Sequence, residues 1–295
     1  MTCPICSSST NIISYLPRPD YHEGHDLVFC QICGTYFASP PPSTQELNQF
    51  YQSYDVLGVD EPYYRELNRP DYFKTRSGRE VIEKALWLQD RHQIPVGARV
   101  LDVGSGHGVW LEVCRRLDWQ GQGIELSSAA AKASQERFSI QVFAGRIDDF
   151  SAQSQNYDLI TLWDIIEHVT NPRQLLAKCA QLVKKNGLLV IETPNSRALI
   201  NKVAYFLYRL GWREPARTLH GLHHVVLFHQ ATMSKLLGEA GFNVVKIYST
   251  RTSVGRVFKK QNLLAQFQKL GLDLVFVLGR IIRQENKMII VARKM

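Results

Sequence analysis

The sequence predicts an α/β protein, a mostly parallel sheet with helices on both faces, preceded by a small cysteine-rich module. Three observations carry this. From Arg99 onward, apolar runs of strand length alternate with longer segments of helical periodicity. The first of these strands runs straight into a glycine-rich turn, "RVLDVGSGHGVW". Four of the six cysteines fall in the first 40 residues, which show little helical patterning and end in Ser39-Pro40-Pro41-Pro42. A hydrophobic fraction of 45% against 21% charged residues supplies a core and excludes a disordered chain. The net charge of +8 admits anionic partners such as nucleotide-linked substrates, nucleic acid or an acidic membrane surface.

In chain order, Ser43 or Thr44 precedes a helical pattern through "QELNQFYQSY". A second runs through "REVIEKALWLQDR", where Val81, Ile82, Ala85, Leu86 and Leu88 recur near helical spacing. "RVLDVG" is a strand and "GVWLEVCRRL" a helix; "QGQGIEL" is the next strand, followed by a helix through "AAAKASQERF". "QVFAG" and "YDLITLWD" are the third and fourth strands. "PRQLLAKCAQLVKK" is a helix with Asn171 as its cap, Pro172 in its first position and Asn186-Gly187 as its stop. "LLVIETP" is a fifth strand, "ATMSKLLGEAGF" a helix, and "NVVKIYS" and "KMIIVARK" are the last two strands. The division this suggests is a module over 1–42, a helical linker or lid over 43–98, and a large domain over 99–295 with helical insertions at about 197–220 and 252–284.

The N-terminus has neither a basic nor an apolar leader segment, and "LDLVFVLGRII" is too short for a membrane span and carries Asp273 and Arg280. The expected compartment is therefore the cytoplasm, with the cysteines as thiols or metal ligands.

The glycine-rich turn selects among nucleotide ligands. A phosphate-binding loop needs Lys and Ser or Thr after its last glycine, whereas Val109 and Trp110 follow Gly108. The dinucleotide spacing fails as well, because its third glycine would stand at Val109. Asp102, two residues before Gly104, would repel phosphates but suits a ligand bearing an ammonium group. Glu125 ends the next strand, about 20 residues on, where an acid takes ribose hydroxyls. A ribose-bearing, phosphate-free, cationic ligand meets all of these conditions, and S-adenosyl-L-methionine is such a ligand.

With "VLDVGSGHG", "GIEL", "YDLITLWDIIEHVTNP" and "GLLVIETPN" in this order over about residues 78–250, the chain resembles the class I S-adenosylmethionine-dependent methyltransferases. The resemblance implies a Rossmann-like, seven-stranded sheet with its last strand antiparallel. It implies that Gly104, Ser105 and Gly106 pass under the cofactor's methionine part with Asp102 beneath, and that Glu125 binds the ribose beside Leu126. Where the family usually shows an acid after its third strand, "AGRIDDF" has Arg146, which moves the expected adenine contact to the Ile147 backbone and Asp148. Asp164 is expected at the methionine end.

Methyl transfer is an in-line displacement at a sulfonium carbon, and an oxygen or carbon nucleophile must also lose a proton. Glu167 and His168 follow the fourth strand, and His224 matches the histidine of a segment "H…F" then "LL…AGF" found in related methyltransferases, sugar C-methyltransferases among them. These three are the candidate catalytic residues. A metal site built from His220, His223, His224 and His229 is the alternative for that stretch. The acceptor expected is a small molecule or a carrier-linked glycan, methylated at oxygen or carbon. The lack of an Asn/Asp-Pro-Pro-Tyr segment argues against amino-methylation of nucleic-acid bases, while the positive charge keeps RNA methylation as an alternative. A non-catalytic, cofactor-binding partner subunit is a third reading. Cys114 and Cys179 read as helix core positions.

Cys3-Pro-Ile-Cys6 and Cys30-Gln-Ile-Cys33 form two knuckles, and four thiolates suit one tetrahedral, structural Zn2+. His22 and His25, between the knuckles, are expected to face solvent or substrate. The insertion "LINKVAYFLYRLGWREPAR" mixes apolar residues with Lys202, Arg209 and Arg213, a pattern of lid packing or of a peripheral contact with a membrane carrying the substrate.

Overall fold

The computed structural model describes residues 1–17, 24–43, 45–47, 49, 66–151, 155–220, 224–250 and 263–295. Of the helix expected from residue 45, residues 45–47 and 49 are helical; His22, His223 and the start of the second insertion lie outside the described residues.

Two sheets form. The strands β1 (Ile12–Leu16), β2 (Asp26–Cys30), β3 (Tyr36–Ser39) and β9 (Val226–Leu227) make a four-stranded sheet in that order. The seven-stranded sheet uses β4 (Arg99–Val103), β5 (Gln120–Glu125), β6 (Val142–Ala144), β7 (Tyr157–Trp163), β8 (Val183–Pro194), β10 (Phe242–Thr250) and β11 (Lys287–Lys294), in the order β10-β11-β8-β7-β4-β5-β6. The last strand in the chain thus inserts between β8 and β10. By contact density the chain divides into two compact units. One holds Met1–Pro42, Asp164–Gln174 and Ile191–Ala292, and the other Ser43–Trp163, Leu175–Val190 and Arg293–Met295.

In the second unit β4 runs parallel to both β5 and β7, with Val103 beside Ile124 and Leu162, so the carboxyl ends of the three strands share one edge. β7 is a near-continuous apolar run whose residues Leu159 to Leu162 are all buried, as a strand covered on both faces requires. The helices α1 (Arg76–His92), α2 (Val109–Arg116), α3 (Ser128–Phe138) and α4 (Pro172–Leu182) follow the predicted order. Their starts are set by short polar side chains. Thr75 Oγ1 accepts the Gly78 N–H at 3.2 Å, Ser127 Oγ the Ala130 N–H at 3.0 Å, and Asn171 Oδ1 the Gln174 N–H at 3.1 Å.

Gly108 starts α2 with a φ of +73°, and a Cβ there would lie 1.9 Å from Ser134 Oγ, so neither the backbone conformation nor the space admits a side chain. The helix expected to run through Lys185 ends at Leu182 instead. Val183 is fully buried and starts β8, Lys184 pairs with Asp158 at 2.7 Å, and Asn186 takes the left-handed conformation inside the strand's first residues. A β-branched residue at a buried position there favours the sheet over another helical turn.

The first unit adds α5 (Leu199–Arg209), α6 (Glu214–His220), α7 (Gln230–Glu239) and α8 (Leu263–Ile281), with α8 packed on α5. No helix among the described residues is long and apolar enough to cross a membrane. Cys114 and Cys179 are fully buried on α2 and α4, as expected of core positions.

Candidate functional site

The glycine turn follows β4 directly. The N–H groups of Gly104 and Ser105 both donate to the Ile124 carbonyl, at 2.8 and 3.0 Å, which ties the turn to the end of β5. Glu125 completes the tie, because its Oε2 accepts the Gly106 N–H at 2.7 Å and its Oε1 the Ser127 N–H at 2.9 Å. The carboxylate that sequence reasoning gave to a ribose therefore also organises the loop, a role no pattern in the sequence announces. A Cβ on Gly106 would meet nothing within 4 Å, and Ser105 Oγ is buried with no hydrogen-bond partner among the described residues. Gly106 thus leaves open space beside the loop, while the Ser105 side chain is directed at Gly123 on β5. Leu126 is half-buried next to Glu125.

Asp102 is buried at 2% exposure, and Thr161 Oγ1 donates to its Oδ1 at 2.7 Å. Burial pushes its carboxyl up to about 7; the Thr161 hydrogen bond opposes this, Glu125 adds to it, and Lys84 opposes it. After β6, residues 147–149 form a turn in which Ile147 is half-buried and exposed Asp148 lies 3.6 Å from Arg146.

In the first unit, Asp164 follows the last residue of β7 and holds a left-handed φ of +54°, with its N–H donating to the Glu192 carbonyl at 3.0 Å. Its carboxylate pairs with Lys287, which also reaches Glu192 Oε1 at 3.2 Å. Burial alone would lower the Lys287 ammonium, but Asp164 and Glu192 hold it above its ordinary value. Lys287 was not singled out from the sequence: it reads there as the first residue of a closing strand, 123 positions from Asp164.

Glu167 and His168 sit in a short 3-10 turn, Ile166–His168, and His224 reaches them from the residues leading into β9. The Val225 N–H donates to the Glu167 carbonyl at 2.7 Å and joins the two segments. The His168 and His224 rings are 5.1 Å apart between centroids, and one donor atom from each of Glu167, His168 and His224 lies within 4.8 Å of the others. The structure thus brings together all three residues proposed from sequence. Glu167 is fully buried; its Oε2 accepts from Thr193 Oγ1 at 2.9 Å, and its Oε1 has no hydrogen-bond partner among the described residues. Burial holds its carboxyl well above the usual range and the Asp164 charge adds to this, against the Thr193 hydrogen bond and the Lys287 charge.

His220 and His229 do not join the cluster, and His223 lies outside the described residues. His229 sits at the start of α7, where its N–H donates to Thr232 Oγ1 at 3.0 Å, and its Nε2 meets the Cys33 carbonyl at 2.9 Å. His220 is buried edge-on to Tyr15, and burial lowers its imidazole to about 4. The four-histidine alternative is not formed among the described residues. His25 also departs from expectation. It is 6% exposed, with Nδ1 2.6 Å from the Pro40 carbonyl, because it immediately precedes β2 beside the proline run that follows β3.

The two knuckles face each other. Cys3 Sγ lies 3.5 Å from Cys33 Sγ and Cys6 Sγ 3.6 Å from Cys30 Sγ, with all four sulfurs within 4.8 Å of one another. The Cys3 and Cys30 carbonyls accept the N–H groups of Ser7 and Gly34, the tight turns that aim each pair of thiols inward.

A family described as a methyltransferase domain matches residues 75–247. A ubiquinone biosynthesis O-methyltransferase of Burkholderia pseudomallei is 29% identical over 169 residues, covering 55% of this chain and 71% of that protein. One from Xanthomonas axonopodis pv. citri is 31% identical over 158 residues, covering 51% and 64%. Among solved structures, magnesium protoporphyrin IX methyltransferase from Synechocystis, with bound SAH, superposes with a TM-score of 0.56 at 16% identity, covering 84% of this chain and 99% of that one. At that identity the likeness establishes the fold.

Proposed function

The chain belongs to the methyltransferase domain family as a class I S-adenosylmethionine-dependent methyltransferase, and on that premise we propose that it methylates a hydroxyl oxygen of a small-molecule acceptor. The observation that carries proton removal from the acceptor is the convergence of Glu167, His168 and His224 in the residues that follow β7. A hydroxyl nucleophile must shed its proton, and this cluster offers the groups to receive the hydroxyl and take part in removing that proton. The named O-methyltransferase relatives support oxygen over carbon, and nothing favours RNA or a non-catalytic role.

S-adenosyl-L-methionine supplies an electrophilic methyl group on a sulfonium. The chain's own residues bind and orient it at the carboxyl edge of the sheet, where ligands of parallel α/β folds lie. Gly104, Ser105 and Gly106 would hold the methionine part, with Asp102 beneath them. Glu125 would take the ribose hydroxyls with Leu126 beside it, and Ile147 and Asp148 would border the adenine. On methyl transfer the cluster would hold the acceptor hydroxyl and take up the proton that it loses.

Two measurements test the cofactor reading. Glu125→Ala is expected to weaken S-adenosylmethionine binding by ~1.5–3 kcal/mol, roughly ten- to a hundredfold. Unchanged affinity by calorimetry would remove Glu125 from the ribose. The pH dependence has a definite sign. The Asp102 carboxyl is neutral in the free folded protein until about pH 7, and a cation bound above it favours the ionised form. Affinity should therefore be flat above pH 7 and fall as the pH drops below it, and Asp102→Asn should flatten the curve. The same group, ionised in the unfolded chain from about pH 4, makes the free protein lose stability as pH rises from about 4 to 7.

Four facing thiolates fit one structural Zn2+, since a tetrahedral ion with Zn–S bonds of about 2.3 Å holds its sulfurs about 3.8 Å apart. Cys3, Cys6, Cys30 and Cys33 would be its ligands, closed to solvent chemistry.

A second surface bears on how the acceptor is presented. On α8 Leu270, Leu274, Leu278 and Ile281 recur at helical spacing and are exposed, and Phe206, Leu210 and Trp212 are exposed at the end of α5 and just beyond it. Arg209, Arg213, Arg280 and Arg283 stand exposed among them. An apolar stripe flanked by arginines fits the surface of an anionic bilayer and, with it, a lipid-carried acceptor, a carrier-linked glycan included. Phosphatidylglycerol vesicles should sediment the protein and phosphatidylcholine vesicles should not, with several-fold weaker binding for Leu274→Ser with Trp212→Ser. Equal sedimentation with both lipids would exclude this surface.

A further inference from the structure

We propose that Glu167, His168 and His224 bind a divalent cation of the first transition row, whose open positions take the acceptor's oxygen. This rests on the proposed role of the cluster in handling that oxygen. Three donors of the kinds such ions accept, one carboxylate oxygen and two imidazole nitrogens, converge from two segments distant in sequence. An ion about 2.0–2.2 Å from each donor requires donors roughly 3–4 Å apart, so the present spread, all within 4.8 Å, closes by small side-chain rotations.

The carboxylate supplies the second observation. Glu167 is 0% exposed, Thr193 satisfies one of its oxygens, and the other is buried without a hydrogen-bond partner among the described residues. A buried, unsatisfied carboxylate oxygen is costly unless a cation or donor meets it. The nearby cation Lys287 is engaged by Asp164 and Glu192. The site is also held in place: Thr193 fixes the rotation of the carboxylate, and the Val225 N–H anchors the Glu167 backbone beside the residue that follows His224.

This donor set differs from that of the four cysteines. Thiolates select zinc and other soft ions, whereas imidazole with carboxylate leaves the site open to Mn2+, Fe2+, Co2+ or Zn2+ with protein ligands to spare for none of the remaining positions. Those positions face whatever the cluster receives.

The test is Mn2+ uptake by the full chain saturated with S-adenosylhomocysteine, followed by loss of the free-ion paramagnetic resonance signal, with the zinc content of each sample measured alongside. Wild type should take up about one Mn2+ per chain. With zinc first brought to the one equivalent held by the four cysteines, Glu167→Gln and His224→Ala should weaken uptake roughly tenfold or more while that equivalent is retained. His168→Ala, at a half-buried position that tolerates truncation, repeats the test should either buried variant fail to fold. No uptake by wild type, or uptake equal in all variants, overturns the cation site. A turnover loss in His168→Ala without Mn2+ uptake would keep the proton-removal reading and overturn this one, whereas uptake with turnover unchanged in all three variants would overturn the part given to the acceptor's oxygen.

Discussion

Turnover in His168→Ala or His224→Ala should fall by roughly 10²–10⁴-fold, the usual contribution of proton transfer, while S-adenosylmethionine affinity stays nearly intact. The separation of the two effects follows from where the groups sit. Both histidines belong to the cluster that follows β7 and leads into β9, whereas the loop proposed to hold the cofactor is tied to β5 through Ile124 and Glu125. The losses need not match, since one ring can orient the acceptor while the other acts on its proton. Transfer of labelled methyl from the cofactor to an acceptor found in cell extract measures the turnover. Rates within a few-fold of wild type in both variants would mean that neither histidine takes part, and the transfer would rest on alignment alone.

Cys30→Ser should strip the protein of its zinc and loosen the four-stranded sheet. Structural zinc contributes about 10–16 kcal/mol to folding in small zinc-finger peptides, comparable with the whole stability of an ordinary domain. Cys30 is the last residue of β2, so the knuckle it anchors holds the turn between β2 and β3. β3 in turn pairs with β9 through Phe37 and Val226, two residues beyond His224. Faster amide exchange in β1, β2 and β3 and a loss of turnover should accompany the loss of metal. Cofactor binding should largely survive, because Gly104 to Glu125 belong to the other compact unit. One zinc per chain in wild type and none in the variant is the expected metal analysis; no zinc in protein purified under reducing conditions would rule out the centre.

The sequence was most informative where the physics is local. Strand and helix periods, Asn171 with Pro172 at the start of α4, and the glycine turn after β4 need only their neighbours to be understood, and each was found where expected. The convergence of the four cysteines was legible for a related reason: two Cys-x-x-Cys pairs each bring two thiols together over a short spacing. The end of α4 was misjudged because Asn186-Gly187 is a good helix stop, yet burial of Val183 in the sheet outweighed that local preference.

What tertiary structure alone decided are the partnerships between residues remote in the chain. Lys287 neutralising Asp164, His229 bound to the Cys33 carbonyl, His25 buried against Pro40 and β9 completing the N-terminal sheet leave no periodic trace in the sequence. The same is true of Glu125 as an organiser of the glycine loop and of the bare oxygen on Glu167. The sequence by itself determined the fold class, the glycine turn after β4 and the identity of the cluster residues, because repeating local preferences and short motifs specify them. Whether a given histidine caps a helix, fills the core or converges on a carboxylate depends on burial and on which distant backbone it meets, and those are settled only when the chain packs.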